Sequence, residues 1–158
     1  MGGDLPARPA NAALPSFIVQ ALKAPDSGNL DRIQIVKVWL EGTGYKEKIF
    51  NVALSGSRQP DPRTGAVPSV GNTVDLKTAT SSNTIGAGEL SAVWSDPDFD
   101  AAKPAVYYVR VMEIPTPRWT ILLAVKRHLP LPTKRDATIQ ERAWASPIWY
   151  APTPRAGG

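Results

Sequence analysis

The sequence contains no cysteine and a single histidine, His128. Without cysteine there are no disulfides, thiolate zinc sites, iron–sulfur clusters or thiol nucleophiles. With one imidazole, every multi-histidine metal site is excluded. No run approaches the roughly 18 apolar residues of a membrane-spanning helix. Walker, dinucleotide-binding and Gly-x-Ser-x-Gly nucleophile patterns are missing as well. The opening stretch, Met1-Gly2-Gly3-Asp4-Leu5-Pro6-Ala7-Arg8-Pro9, lacks the basic start and apolar run of a signal peptide.

What remains is the composition of one soluble domain. The chain has 158 residues and a mass of 17.0 kDa, for which a folded surface of roughly 7,700 Å² is expected. Lys plus Arg number 18 against 14 Asp plus Glu, giving a net charge of +4. The basic residues are scattered. The densest group, Lys126-Arg127-His128 followed by Lys134-Arg135, has no aromatics in step with it. It reads as a solvated loop rather than a nucleic-acid surface.

Proline is abundant, 16 residues, and it falls at the ends of short runs rich in Val, Ile, Tyr and Trp. That is the texture of an all-β chain. The expected strands are Ser16–Leu22, Asp31–Glu41, Tyr45–Leu54, a short Asn72–Leu76, Glu89–Ser95 and Ala105–Ile114. A closing segment, Thr138–Tyr150, bends at Ser146-Pro147. Glu41-Gly42-Thr43-Gly44 predicts a hairpin turn. Ser55–Gly71 and Ala79–Gly88 read as loops, and Pro115-Thr116-Pro117 ends its strand. In Trp119–Leu129 the spacing of Leu122, Val125 and Leu129 predicts a short helix.

The fold class expected is therefore mainly β. It is an antiparallel, sandwich-like domain with long Pro/Gly-rich loops and at most one or two short helices. Residues 16–152 form the domain, between flexible segments at 1–15 and 153–158.

Few constellations suggest chemistry. His128 sits in a basic stretch with no orienting partner nearby and reads as a surface residue. Asp96, Asp98 and Asp100 have the spacing of the first three ligands of a calcium loop. The pattern then fails, with Ala101 at the glycine position and Tyr107 in place of the closing glutamate. The alternative is a polar turn between strands. Trp94 falls on the apolar face of its strand and is expected in the core. Trp119, Trp144 and Trp149 lie beside Pro and Arg, where partial exposure would suit a glycan or protein ligand.

Several ordered stretches carry a resemblance. They include Asn29-Leu30-Asp31-Arg32-Ile33, Val70-Gly71-Asn72-Thr73-Val74-Asp75 and Asn83-Thr84-Ile85-Gly86. They continue through Val93-Trp94-Ser95-Asp96-Pro97-Asp98-Phe99-Asp100, Glu113-Ile114-Pro115-Thr116-Pro117-Arg118-Trp119 and Glu141-Arg142-Ala143-Trp144-Ala145-Ser146-Pro147-Ile148-Trp149-Tyr150. From about Phe17 to Pro152 the chain resembles the C-terminal portion of the bacterial domain-of-unknown-function family 3604. The resemblance implies long, generally exported proteins, with an N-terminal part similar to metal-dependent hydrolases of the polymerase-and-histidinol-phosphatase (PHP) type. None of that part's histidine motifs is present, so no catalytic residue, metal ligand or cofactor is carried over to this chain. A divalent metal is implied only for the absent part. One departure is Ile121-Leu122-Leu123, where the family is more polar.

The function expected is that of a non-catalytic β-rich region that packs on a catalytic barrel and shapes its mouth. Its contacts would come from Glu113, Arg118 and Trp119, where an Arg and an aromatic follow a strand between stiffening prolines. The alternative is a stand-alone carbohydrate- or protein-binding module using its exposed tryptophans, Trp144 and Trp149 among them.

Overall fold

The computed structural model describes residues 2–8 and 13–152. The expected C-terminal tail, 153–158, lies outside them. Ten strands and one helix follow in order: β1 (Gly3–Leu5), β2 (Ser16–Leu22), β3 (Leu30–Glu41), β4 (Gly44–Leu54), β5 (Val74–Asp75), β6 (Thr80–Ser81), β7 (Glu89–Ser95), β8 (Ala105–Pro117), α1 (Trp119–Lys126), β9 (Thr138–Trp144) and β10 (Ile148–Tyr150). The fold is mainly β, with antiparallel sheets and no closed barrel.

The main sheet has six strands. β8 lies at its centre, with β3 and then β4 on one side. On the other side β10 pairs the start of β8, and β9 pairs its second half. β1 extends this edge by pairing β10 in parallel, so part of the segment expected to be flexible is a strand. The hairpin between β3 and β4 turns at Gly42, whose φ of 59° suits the first central position of a mirror-image turn.

A two-stranded ribbon, β2 against β7, lies over the main sheet. Strict alternation along β2 buries Phe17 and Val19, and along β7 it directs Leu90, Ala92 and Trp94 inward. These side chains meet Ile33 and Ile35 of β3 and Tyr107 of β8. The Phe17 ring is 4.8 Å from that of Tyr107, and Trp94 is 4.7 Å from Phe50. Trp94 therefore belongs with the core, as its strand alternation requires.

One local expectation is corrected. β8 runs on through Pro115 and Pro117 rather than stopping before them. Its β3 partner ends opposite Glu113, and beyond it β8 pairs only β9. One edge is then free, where a residue lacking an N–H leaves no ladder bond unmade. The expected helix forms, from Trp119 to Lys126. Ile121 and Ala124 are buried, while Leu122 and Leu129 are exposed.

The end of α1 explains the lone histidine. His128 adopts φ 53°, its N–H bonds the Val125 carbonyl, and Leu129 N–H bonds the Ala124 carbonyl. That is the crossed pair of bonds that closes a helix through a left-handed residue. His128 thus stops the helix, and its ring is exposed.

Candidate binding surface

The Asp96–Asp100 turn does not gather its carboxylates. Asp96 is fully buried, and its Oδ2 lies 2.5 Å from Lys37 Nζ and accepts the Tyr107 hydroxyl at 2.6 Å. Its Oδ1 accepts the Asp98 N–H at 2.9 Å. Asp98 pairs with Lys48 at 2.5 Å, and Asp100 with Lys103 at 3.6 Å. Each carboxylate has its own lysine. Among the described residues no three potential ligands come together to hold a metal ion. The geometry is that of the polar turn, stapled to β3 and β4 by ammonium groups.

Burial, and then the Asp96 carboxylate, push the Tyr107 hydroxyl well above the ordinary tyrosine range. A cleft of about 230 Å³ opens beside it, lined by Trp39, Glu41, Phe99 and Lys103 among others. The Trp39 indole N–H, then Lys103, hold the Glu41 carboxyl below its usual range. Glu41 in turn raises Lys103. The charges lining this cleft are matched within it or against its walls.

A second buried acid ties distant segments together. The Arg58 guanidinium contacts Asp31 Oδ1 at 2.6 Å, and Gln140 Nε2 donates to Asp31 Oδ2 at 2.9 Å. Arg58 also donates to the carbonyls of Asp31, Ser55 and Pro68. One carboxylate thus joins β3, the loop after β4, and β9. Nearby, Asn29 bonds Asn83 and the Ile85 carbonyl. At Gly86, φ 78°, an added Cβ would fall 2.7 Å from both Asn29 Cβ and Ile114 Cγ2. Two of the resembling stretches are therefore one structural joint.

The residues proposed for contacts separate into three places. Glu113 is engaged internally, accepting the Ser27 hydroxyl at 2.5 Å, while its carbonyl accepts from Gln140. Arg118 precedes α1 in extended conformation, and its carbonyl accepts the N–H groups of Ile121 and Leu122. Its buried Nε has no hydrogen-bond partner among the described residues. Arg118 lines a cleft with Asp136, Gln140, Glu141, Arg142 and Trp144, but Trp144 pairs Arg110 while Thr138 pairs Pro117, so Arg118 and Trp144 stand at opposite ends of it. Trp119 is 71% exposed, Trp144 59% and Trp149 55%. Trp149 stands apart, beside Val38, Leu40 and Tyr45.

Sequence reasoning missed Lys37, Asp31, Arg58 and Gln140. One signal was present, a lysine inside the apolar run Ile35-Val36-Lys37-Val38, where the cost of burying an unpaired charge demands an acid.

No curated protein and no solved structure matches the chain. The model of one protein family does match, over residues 1–152, nearly the whole chain. The chain belongs to that family, described as "Protein of unknown function (DUF3604)".

Proposed function

We propose that this chain is a non-catalytic β-rich unit that packs on a catalytic barrel lying outside it, that of a PHP-type metal-dependent hydrolase. The carrying observation is the outward face of α1. Trp119, Leu122 and Leu123, at i, i+3 and i+4, form one apolar stripe in solvent, while Ile121 and Ala124 hold the helix to the domain. An eight-residue helix that is apolar on both sides is built to be covered twice. The accessible surface supports the same reading. It is 10434 Å², against roughly 7,700 Å² for a compact protein of this mass.

The donor set of the chain does not fit a PHP-type centre, which needs clustered histidines and carboxylates. Its one imidazole caps a helix, and its buried carboxylates, Asp31 and Asp96, are matched by Arg58 and Lys37. Any metal would belong to the catalytic part.

The test is substitution in the complete protein. Arg118→Ala and Trp119→Ala are expected to lower turnover or to loosen the two parts, read as earlier proteolytic separation. Unchanged turnover and unchanged proteolysis in both variants would overturn the contact role.

A second reading rests on Trp149 and Tyr45, which line one shallow apolar cleft of about 280 Å³ on the main sheet. Aromatic rings over an apolar floor suit a sugar ring. Quenching of tryptophan fluorescence by members of a glycan panel, lost in Trp149→Ala, would favour it. A flat response to every glycan would end it.

A further inference from the structure

The two layers are unequal. Six strands form the main sheet, but among the described residues only β2 and β7 form a second layer over it. β7 leans over β3 and β4, leaving the inner face of the β8–β9–β10 side uncovered beyond β2. Two adjoining clefts, about 590 and 260 Å³, follow β2 from Ser16 to Leu22 and share Val111 and Ala143 as floor. Val109 and Ile148 continue that floor under the larger cleft. Among the described residues, none that lines the larger cleft is charged.

The edge of β2 that borders this space has no strand partner among the described residues, since β2 pairs only β7. Its sequence, Ser-Phe-Ile-Val-Gln-Ala-Leu, carries no charge and no proline. Free edges of lasting strands are normally guarded by such residues, because an open row of N–H and C=O groups recruits another strand. An unguarded edge above a floor that is apolar in the larger cleft, with Glu113, Glu141 and Arg142 lining the smaller one, is the arrangement of a sheet that accepts a strand.

We infer that this groove binds an extended polypeptide segment that adds a third strand to the ribbon along β2, with apolar side chains at alternate positions on the floor. The backbone edge fixes the occupant as polypeptide in extended form. The strand period of two places every second side chain against Val109, Val111 and Ala143. The uncharged larger cleft excludes acidic or basic residues at those positions. Seven residues of β2 give room for a partner strand of about five to seven.

The test uses an array of labelled heptapeptides in which Val, Ile, Leu or Phe occupy alternate positions and Thr or Lys the others. Titration against the whole chain would be read by fluorescence anisotropy. The expected result is saturable binding by a subset. The best peptide should lose at least tenfold in affinity when its edge-facing amides are N-methylated, and again against Ala143→Lys. Ala143 is exposed, so this variant keeps its fold, which circular dichroism would verify. Binding by no peptide below 1 mM (about −4 kcal/mol), or equal binding after N-methylation, would overturn the inference. So would a concentration-dependent dimer in which β2 amides gain exchange protection without peptide, since the occupant would then be a second copy.

Discussion

Lys37 Nζ and Asp96 Oδ2 meet at 2.5 Å in the interior, 5% and 0% exposed, with the Tyr107 hydroxyl on the same carboxylate oxygen. Three groups from β3, β8 and the turn after β7 thereby share one charge. Removing one partner leaves a buried charge uncompensated, which costs about 3–5 kcal/mol. Lys37→Met is therefore expected to destabilise the chain by that amount in chemical denaturation. Lys37→Met combined with Asp96→Asn is expected to recover part of the loss. Equal losses in the single and double variants would contradict the pairing.

Tyr107 predicts a pH dependence. Its hydroxyl titrates above the ordinary value in the folded chain, through burial first and Asp96 second. An unfolded tyrosine releases its proton near pH 10. The folded state then holds more protons than the unfolded one, so this contribution is complete below about pH 10 and falls as pH rises further. Tyr107→Phe should weaken the chain by about 1–3 kcal/mol at neutral pH and flatten the alkaline decline. An alkaline limb identical in both proteins would refute this.

Much of the fold could be read from the sequence, because alternation is a local signal. Ser16–Leu22 and Glu89–Ser95 have the observed bounds, since each has one buried and one solvated face. The helix at Trp119 could also be read, but not which face it buries, because Ile121, Leu122, Leu123 and Val125 leave no polar side to choose from. The end of β8 was missed because Pro115 and Pro117 are breakers only where both neighbours are paired. Little of the surface was legible. Exposure of Trp119, Trp144 and Trp149 follows from their flanking residues, but the cleft that Arg118 and Trp144 both line depends on β9 returning alongside β8. The knot around Asp31 spans positions 31, 58 and 140 and leaves no local trace.

Gly86 is held by contact as well as by backbone. An alanine there would press on Asn29, Ile114 and the Leu30 carbonyl at 2.7–2.9 Å, in a backbone conformation unfavourable to L-residues. Gly86→Ala should cost about 1–3 kcal/mol and speed amide exchange at Leu30 and Ala87, which bond each other there. Wild-type exchange at both would argue against the joint.

His128 offers the opposite sign. A residue other than glycine in the left-handed region costs about 1–2 kcal/mol. His128→Gly should raise stability by up to about 1 kcal/mol, with no change at neutral pH in any activity of the complete protein. Loss of activity in this variant would give the imidazole a role beyond closing α1.

This chain is proposed to work against a catalytic unit. The most direct measurement is the native mass of the species carrying the chain in the source cell, by immunoblot after native separation and again after denaturation. A native species several-fold above 17.0 kDa is expected, with denaturation telling whether the two parts are covalently joined. A native species at 17.0 kDa would contradict it, and would leave a free-standing β domain whose ligand should be sought at Trp149 and along β2.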